Sequence, residues 1–155
     1  MSYLRNMTGG IYSRPKSWLT LDVCESLYRK FKERLEYNEP IPDFEKRFEG
    51  RLESVLGSVR QTYGGKQLNE TIFDAAGAYY NQLVRGHVFR NGNKRMAVLF
   101  TDYFLWKHKI AFTLTSEEMY HFAILISVAG ERGYKPTETL SWCKNIIEKY
   151  TKVVR

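Results

Sequence analysis

The residues that could do chemistry are concentrated in positions 87–95, HVFRNGNKR. An apolar helical pattern follows, so Asn93 is predicted to open a helix whose first-turn N–H groups and dipole favour an anion. Gly92 allows a close backbone approach to a phosphate, or a left-handed conformation. Lys94 and Arg95 oppose the helix dipole by about 0.3–1 kcal/mol each, a cost that a bound polyphosphate reverses. The stretch therefore predicts a phosphate site.

His87 stands at the other end of this stretch, where the preceding helical pattern ends. An imidazole near a bound phosphate could take a proton from an attacking hydroxyl as a general base. Phe89 could point into the core and anchor the loop. A histidine near a helix C-terminus is also a common dipole partner or cap, and the residues alone leave both roles open.

Two apolar helical patterns flank this loop, and four others complete the chain. Apolar residues recur at spacings of three and four, which predicts an all-α domain of about six helices. The predicted helical stretches are 20–35 (Val23, Leu27, Phe31, Leu35), 48–63 (Phe48 to Tyr63), 69–84, 93–104, 115–126 and 136–150.

The segments between these helices carry their own signals. Pro40 and Pro42 end the first helix, and Gly64-Gly65 predicts a loop or the tip of a short hairpin. Thr115 and Glu118 form a capping box, and Pro136 suits the first turn of the last helix. The stretch 107–114 could include an extended piece. Residues 1–18 are predicted to form a flexible arm, and residues 19–155 one domain.

Composition and charge limit the kinds of partner and the cellular compartment that fit this sequence. The net charge is +7, but the 24 basic residues are scattered and form no long run. Such charge fits solvated helix faces, nucleotide phosphates or an acidic partner, and a nucleic-acid partner is not favoured. Cys24 and Cys143 match no zinc or redox spacing, which predicts reduced core thiols. No signal peptide or membrane span is evident, so we expect a cytoplasmic protein.

The stretch HVFRNGNKR resembles the signature of the Fic/Doc family, H-x-F-x-[D/E]-[G/A]-N-[G/K]-R, at every specified position except the acidic one. Lys94, together with Val98 where many members have a further arginine, resembles the Doc (death-on-curing) branch. The segment FEGRLESVLGSVRQTYGG is similar to the helix-to-flap region of Doc-like proteins. The resemblance covers roughly residues 19–150 and implies a compact Fic/Doc helical core with a short flap.

The resemblance also implies an activity, namely transfer from ATP to a hydroxyl side chain of another protein. Most Fic proteins transfer the nucleotidyl group (AMPylation). In the Doc branch, a lysine where others have glycine goes with phosphorylation of a translation elongation factor, which arrests bacterial growth. A lysine at position 94 partly fills the phosphate nest and adds a charge, which favours a changed phosphate arrangement. We therefore expect a Doc-like kinase, with nucleotidyl transfer as the alternative.

Residue roles carry over from the family position by position. His87 would activate the target hydroxyl, and Phe89 would be the structural anchor. The remaining implied sites are the phosphate-binding residues Arg85, Gly92, Asn93, Lys94 and Arg95, and the target-binding flap Tyr63, Gly64, Gly65 and Lys66.

Asn91 stands where the family usually has an acid that helps to hold Mg²⁺. A neutral amide oxygen is a weak ligand, because Mg²⁺ relies on carboxylates and phosphates. Three outcomes are open: phosphates and water hold the metal, Asp74 or Asp102 substitutes, or the chain is a non-catalytic binding module. The retained His87 favours an active enzyme.

An inhibitory helix of the family carries S/T-x-x-x-E-[G/N]. The nearest run, 127–131, has the serine and the glutamate but is followed by Arg132. We therefore expect inhibition, if any, from a separate acidic antitoxin that folds on binding, which a basic surface would suit.

Overall fold

The computed structural model describes residues 10–34 and 41–154. Six α-helices occupy most of these residues, as the sequence predicts. Their bounds are α1 Leu21–Arg34, α2 Arg51–Arg60, α3 Ile72–Arg85, α4 Asn93–Lys107, α5 Ser116–Glu131 and α6 Pro136–Lys149.

Helices α3 and α4 form the centre of the domain, and the loop that joins them is the chemically rich stretch. α3 packs against both α4 and α6. Its small residues allow close approach: a Cβ built on Gly77 would lie 2.7 Å from Cγ of Lys144 in α6. α4 buries Met96, Phe100 and Phe104. The two packed helices thus fix the positions of both ends of the loop.

Helix α1 differs from its predicted apolar face. Cys24 and Tyr28 are its buried residues, whereas Val23, Leu27 and Phe31 are only partly buried against the core. Leu35, which belongs to the same predicted stripe, and Pro40 lie outside the described residues. The contact face is therefore rotated by about one residue, because the tyrosine ring fills more core volume than the aliphatic positions beside it.

Helix α2 is shorter than predicted. The expected stripe from Phe48 to Tyr63 was wrong at both ends, since the helix covers only Arg51–Arg60. Gly50 precedes the helix with a φ of 77°, a left-handed conformation that separates Phe48 from it. Tyr63 lies beyond the helix and is 80% exposed.

Two short antiparallel strand pairs accompany the helices. β1 (Thr62–Tyr63) pairs with β2 (Lys66–Gln67), so the Gly64-Gly65 turn is a hairpin tip. β3 (Ile110–Phe112) pairs with β4 (Thr151–Val153), with Ala111 opposite Lys152. The sequence predicts an extended piece near β3 but gives no signal for β4. The two strands pair although the last two helices lie between them in the chain.

Local signals that rest on side-chain chemistry are confirmed. Thr115 and Glu118 cap α5 reciprocally, and Pro136 opens α6. An unpredicted capping box joins Thr71 and Asp74 at the start of α3. These boxes satisfy N–H groups that a helix start otherwise leaves without a partner.

Residues 10–18, the described part of the predicted arm, lie against the core. The N–H of Ile72 donates to the carbonyl of Ser13 (2.9 Å). The rings of Trp18 and Phe104 pack with their centroids 6.4 Å apart. Nε2 of His108 accepts the N–H of Lys16 at 2.9 Å. These contacts fix the segment beside the end of α4.

The two thiols are free and buried. Burial raises the pKa of Cys24 to about 12, so this thiol stays protonated and unreactive at neutral pH. Within the described ranges, no helix has both the length and the apolar character needed to cross a membrane.

Candidate functional site

The loop between α3 and α4 is anchored by Phe89. This ring is 2% exposed and stacks on Tyr28 with centroids 4.8 Å apart. Phe44 and Phe100 flank it with centroids at 6.2 and 6.1 Å. Phe89 therefore occupies an aromatic cluster drawn from three parts of the chain, and the predicted anchor is found in the core.

Asn93 closes the loop on itself. Its Oδ1 accepts the N–H of Phe89 at 2.8 Å, and its Nδ2 donates to the carbonyl of Phe89 at 2.7 Å. The side chain thus completes two backbone hydrogen bonds and is not directed at a ligand. Of the predicted phosphate contacts of Asn93, only its backbone N–H fits the geometry.

The segment before α2 supports the loop from outside. The N–H of Phe48 donates to the carbonyl of Val88 at 3.0 Å, and Arg51 donates to the carbonyl of His87 at 2.9 Å. Phe48 also contacts the guanidinium groups of Arg51 and Arg90, at 4.3 and 4.5 Å from its centroid. Sequence reasoning missed these residues because it placed Phe48 inside a helix, and only the tertiary contact reveals their role.

The start of α4 has the features of an anion site. Gly92 is left-handed with a φ of 83° and offers no side-chain cap. The N–H groups of Asn93 and Lys94 have no acceptor among the described residues. The first turn contains no acid, and no described acid pairs with Lys94. These groups point to a phosphate or another oxyanion.

A cavity of about 200 Å³ lies over this turn, lined by Ile41, Asn91, Gly92, Asn93, Lys94, Arg95 and Tyr120. Pockets for whole drug-sized ligands are about 300–1,000 Å³, so this cavity suits the phosphate portion of a nucleotide. Four of the predicted phosphate residues come together here.

Arg95 forms one wall of the cavity and is already engaged. Its guanidinium lies 3.8 Å from the centroid of Tyr120 and pairs with the carboxylate of Glu117. The hydrogen bond from Arg95 lowers the pKa of Glu117. Glu117 and Tyr120 were not singled out from the sequence, since their only local signal is the start of a helix.

His87 adopts a φ of 46°, which is uncommon for a residue with a Cβ and is found at functional sites. The residue is exposed, and no described group is hydrogen-bonded to its ring. It lines a separate cavity of about 170 Å³ together with Arg85, Ser127 and Glu131.

The two cavities lie along one face of α5. Tyr120 lines the first and Ser127 the second, and seven residues correspond to about 10 Å along a helix. His87 is therefore close to the anion cavity but outside its lining.

Arg85 is directed elsewhere. Its guanidinium donates to the carbonyl of Tyr134 at 2.9 Å and to the hydroxyl of Thr139 at 3.0 Å. These bonds join the end of α3 to the start of α6. The structure does not bring Arg85 into the anion cavity; the residue lines the His87 cavity instead.

The loop provides few side-chain ligands for the expected Mg²⁺. Oδ1 of Asn91 accepts the N–H of Gly92 at 2.9 Å, and the described residues contain no group of three or more metal-ligating side chains. Asp74 caps the far end of α3 and pairs with Lys144. Asp102 lies about 13 Å along α4 from its start. Neither acid can therefore replace the missing carboxylate at this loop.

The hairpin predicted as the target flap follows the end of α2 that lies away from His87. Arg51, at the start of α2, contacts His87, whereas the hairpin of Tyr63, Gly64, Gly65 and Lys66 follows the other end of α2. The ten residues of α2 span about 15 Å. Among the described residues before α2, it is Ile41 that lines the anion cavity.

A comparison with protein-family models agrees with this geometry. The model described as Fic/DOC family matches residues 18–105, which include the loop, the helices on both sides of it and the Phe48 segment. No individual curated protein matches the chain. Since the match covers more than half of the sequence, the chain belongs to the Fic/Doc family, whose members are in general protein-modifying transferases.

Proposed function

We propose that this protein is a Doc-like kinase that transfers the terminal phosphate of ATP to a hydroxyl side chain of a target protein. The observation that carries the proposal is the start of α4, where Gly92, unpartnered N–H groups and Lys94 form an anion cavity next to an exposed His87. The Lys94 side chain adds charge to the phosphate nest, which favours the Doc-type arrangement over nucleotidyl transfer.

In the proposed reaction, the imidazole of His87 accepts the proton of the target hydroxyl. The hydroxyl oxygen then forms a bond to the γ-phosphorus, and the bond from that phosphorus to the bridging oxygen breaks, so ADP leaves with those electrons. A phosphate chain placed along α5 would reach from the cavity at Tyr120 toward His87. The helix rise of about 10 Å between Tyr120 and Ser127, which line the two cavities, supports this path.

Mg²⁺ enters the proposal as an ion held mainly by the phosphates and water. At the position where the family has an acid, the loop offers Asn91, whose Oδ1 accepts the N–H of Gly92. The same observation favours a second candidate function, a Fic-fold module that binds a phosphate-containing partner without transfer.

We further propose that the kinase acts in the bacterial cytoplasm as a growth-arresting toxin. Its target class would be a translation elongation factor, and an acidic antitoxin in trans would restrain it. The net charge of +7 supports an acidic partner. Overexpression in a bacterial host should arrest growth in the wild type and not in His87→Ala, and unimpaired growth in the wild type would contradict the toxin proposal.

The decisive experiment incubates the purified protein with bacterial lysate, Mg²⁺ and either α- or γ-labelled ATP. A kinase labels a protein band from γ-label only, and His87→Ala should abolish that label. His121→Ala serves as the matched control, because this exposed histidine lies on α5 outside the loop. Labelling from α-ATP would identify nucleotidyl transfer, and no labelling with retained ATP binding would identify the binding module.

A further inference from the structure

Four exposed cations lie together at the end of α4 opposite the site. Arg14, Lys16, Lys107 and Lys109, here called the basic pole, line one cavity of about 330 Å³. None of them forms an ion pair with any residue of the described ranges. α4 has 15 residues, so the basic pole lies about 20 Å from Gly92. Unpaired like charges held this close destabilise the folded chain, and they mark a surface that meets anions.

An apolar cavity adjoins the basic pole. It has a volume of about 440 Å³ and is lined by Trp106, Lys107, Lys109, Ile110 and Val154. Trp106 is 65% exposed and Val154 is 43% exposed, while Ile110 is buried. Exposed apolar side chains rimmed by charge are typical of protein interaction sites. Because the two lysines line both cavities, the apolar and the cationic surfaces are continuous.

We infer that this surface binds an acidic protein segment, which inserts a bulky apolar side chain between Trp106 and Val154 and sets its carboxylates on Lys107 and Lys109. Charge complementarity selects this occupant. A second copy of the chain also carries a net charge of +7 and would bring its own cations to the contact. Among the described residues that line the apolar cavity, Trp106 is the only aromatic ring, and the aliphatic walls formed by Ile110 and Val154 offer bases no stacking partner.

This surface is independent of the proposed chemistry. None of its residues belongs to the loop, and α4 separates the two regions along its whole length. The inference holds whether the chain transfers phosphate, transfers a nucleotidyl group or only binds.

The test is a fluorescence titration of the full chain with a short labelled peptide of glutamates around a central leucine. A second peptide has serine in place of that leucine. The wild type should bind the leucine peptide about tenfold or more tightly than the serine peptide. Trp106→Ser and the double variant K107E/K109E should each weaken leucine-peptide binding by a similar factor. Both variants alter exposed side chains, so their folding is expected to persist.

Two matched controls separate this surface from general effects. Leu125→Ser removes another exposed apolar side chain, 61% exposed on α5, and Lys30→Glu reverses an exposed charge on α1. Both should leave peptide binding unchanged. The proposal is overturned if the wild type does not bind the leucine peptide or binds both peptides equally. It is also overturned if Trp106→Ser binds normally, or if an oligothymidylate displaces the peptide and binds more tightly.

Discussion

Helices α3 and α5 begin in one way and helix α4 in another. At α3 and α5, a threonine and an acid three residues later satisfy each other's N–H groups. At α4, a left-handed glycine replaces the cap, and the first turn carries cations and no acid. A glycine in place of a threonine cap costs only roughly a few tenths of a kcal/mol, and each cation in the first turn opposes the dipole by about 0.3–1 kcal/mol. Helix α4 therefore gives up stability that α3 and α5 keep. Gly50 opens α2 in the same left-handed conformation, but Glu53 follows in its first turn. The cationic, acid-free first turn is therefore what sets α4 apart, and it is the feature that the proposed anion site explains.

The comparison also separates two tasks within the loop. Phe89 and Asn93 direct their side chains inward and hold the loop. His87 and Lys94 have side chains without described partners, which are available to a ligand. Substitutions of Phe89 and Asn93 should lower the stability of the fold, and substitutions of His87 and Lys94 should weaken ligand binding.

The largest stability effect is expected at Phe89. Phe89→Ala should lower the free energy of unfolding by about 3–5 kcal/mol, because it empties the centre of an aromatic cluster. Urea denaturation with matched m-values measures the change. Tyr63→Ala, which removes an aromatic ring that is 80% exposed, should stay within about 0.5 kcal/mol of the wild type. A small loss at Phe89 would mean that the loop is not anchored by this ring.

Asn93→Ala should have the next largest effect. It leaves the N–H and the carbonyl of Phe89 without their side-chain partner, which costs about 1–3 kcal/mol. Urea denaturation against Asn145→Ala, an exposed asparagine of α6, isolates the contribution of the two bonds. Equal stability of the two variants would show that Asn93 faces the ligand and not the loop.

Lys94→Glu should change stability and binding in opposite directions. An acid in the first turn makes α4 resemble its capped neighbours and should stabilise it by about 0.3–1 kcal/mol. The same change should abolish binding of tripolyphosphate to the anion cavity, as measured by calorimetry. Lys30→Glu, within α1, should leave that binding intact. Unchanged binding in Lys94→Glu would remove Lys94 from the phosphate site.

The smallest stability effect is expected at Glu117. Glu117→Gln should lower stability near pH 7 only slightly, since Glu117 is exposed and solvent screens its pair with Arg95. It should raise the affinity for tripolyphosphate severalfold, because a phosphate no longer competes with a carboxylate for Arg95. Calorimetric titration of both proteins decides this, and equal affinities would show that Arg95 does not contact the ligand.

The same variant tests the pKa of Glu117. Arg95 holds this pKa below its usual value of 4.5, so the pair contributes stability above about pH 4.5, and that contribution is lost as the pH falls through the lowered pKa. Glu117→Gln should therefore show a weaker loss of stability in acid than the wild type.

Sequence reasoning succeeded where local chemistry decides the structure. The capping box at Thr115, the proline at 136 and the glycine-opened start of α4 all depend on residues within one turn of each other. The buried position of Phe89 also followed, because a lone large aromatic residue in a polar loop has few other places to go.

Sequence reasoning failed where contacts between distant segments of the chain determine the structure. Phe48 is held outside α2 by its hydrogen bond to the distant Val88, and the apolar stripe looked continuous without that contact. Arg85 turned out to hold the start of α6, a contact across 54 positions of the chain that no local pattern encodes. The hairpin was predicted correctly as an element, but its distance from His87 depends on the direction of α2.

The internal bonding of the loop has a thermodynamic consequence. Asn93, Arg51 and Phe48 fix the backbone of residues 87–89 when the protein folds, so most of the conformational entropy of this segment is lost at that stage. A ligand that arrives later has little left to order, and rigid sites bind more tightly for this reason. Even a small inorganic anion, with few contacts of its own, should therefore be retained by the cavity.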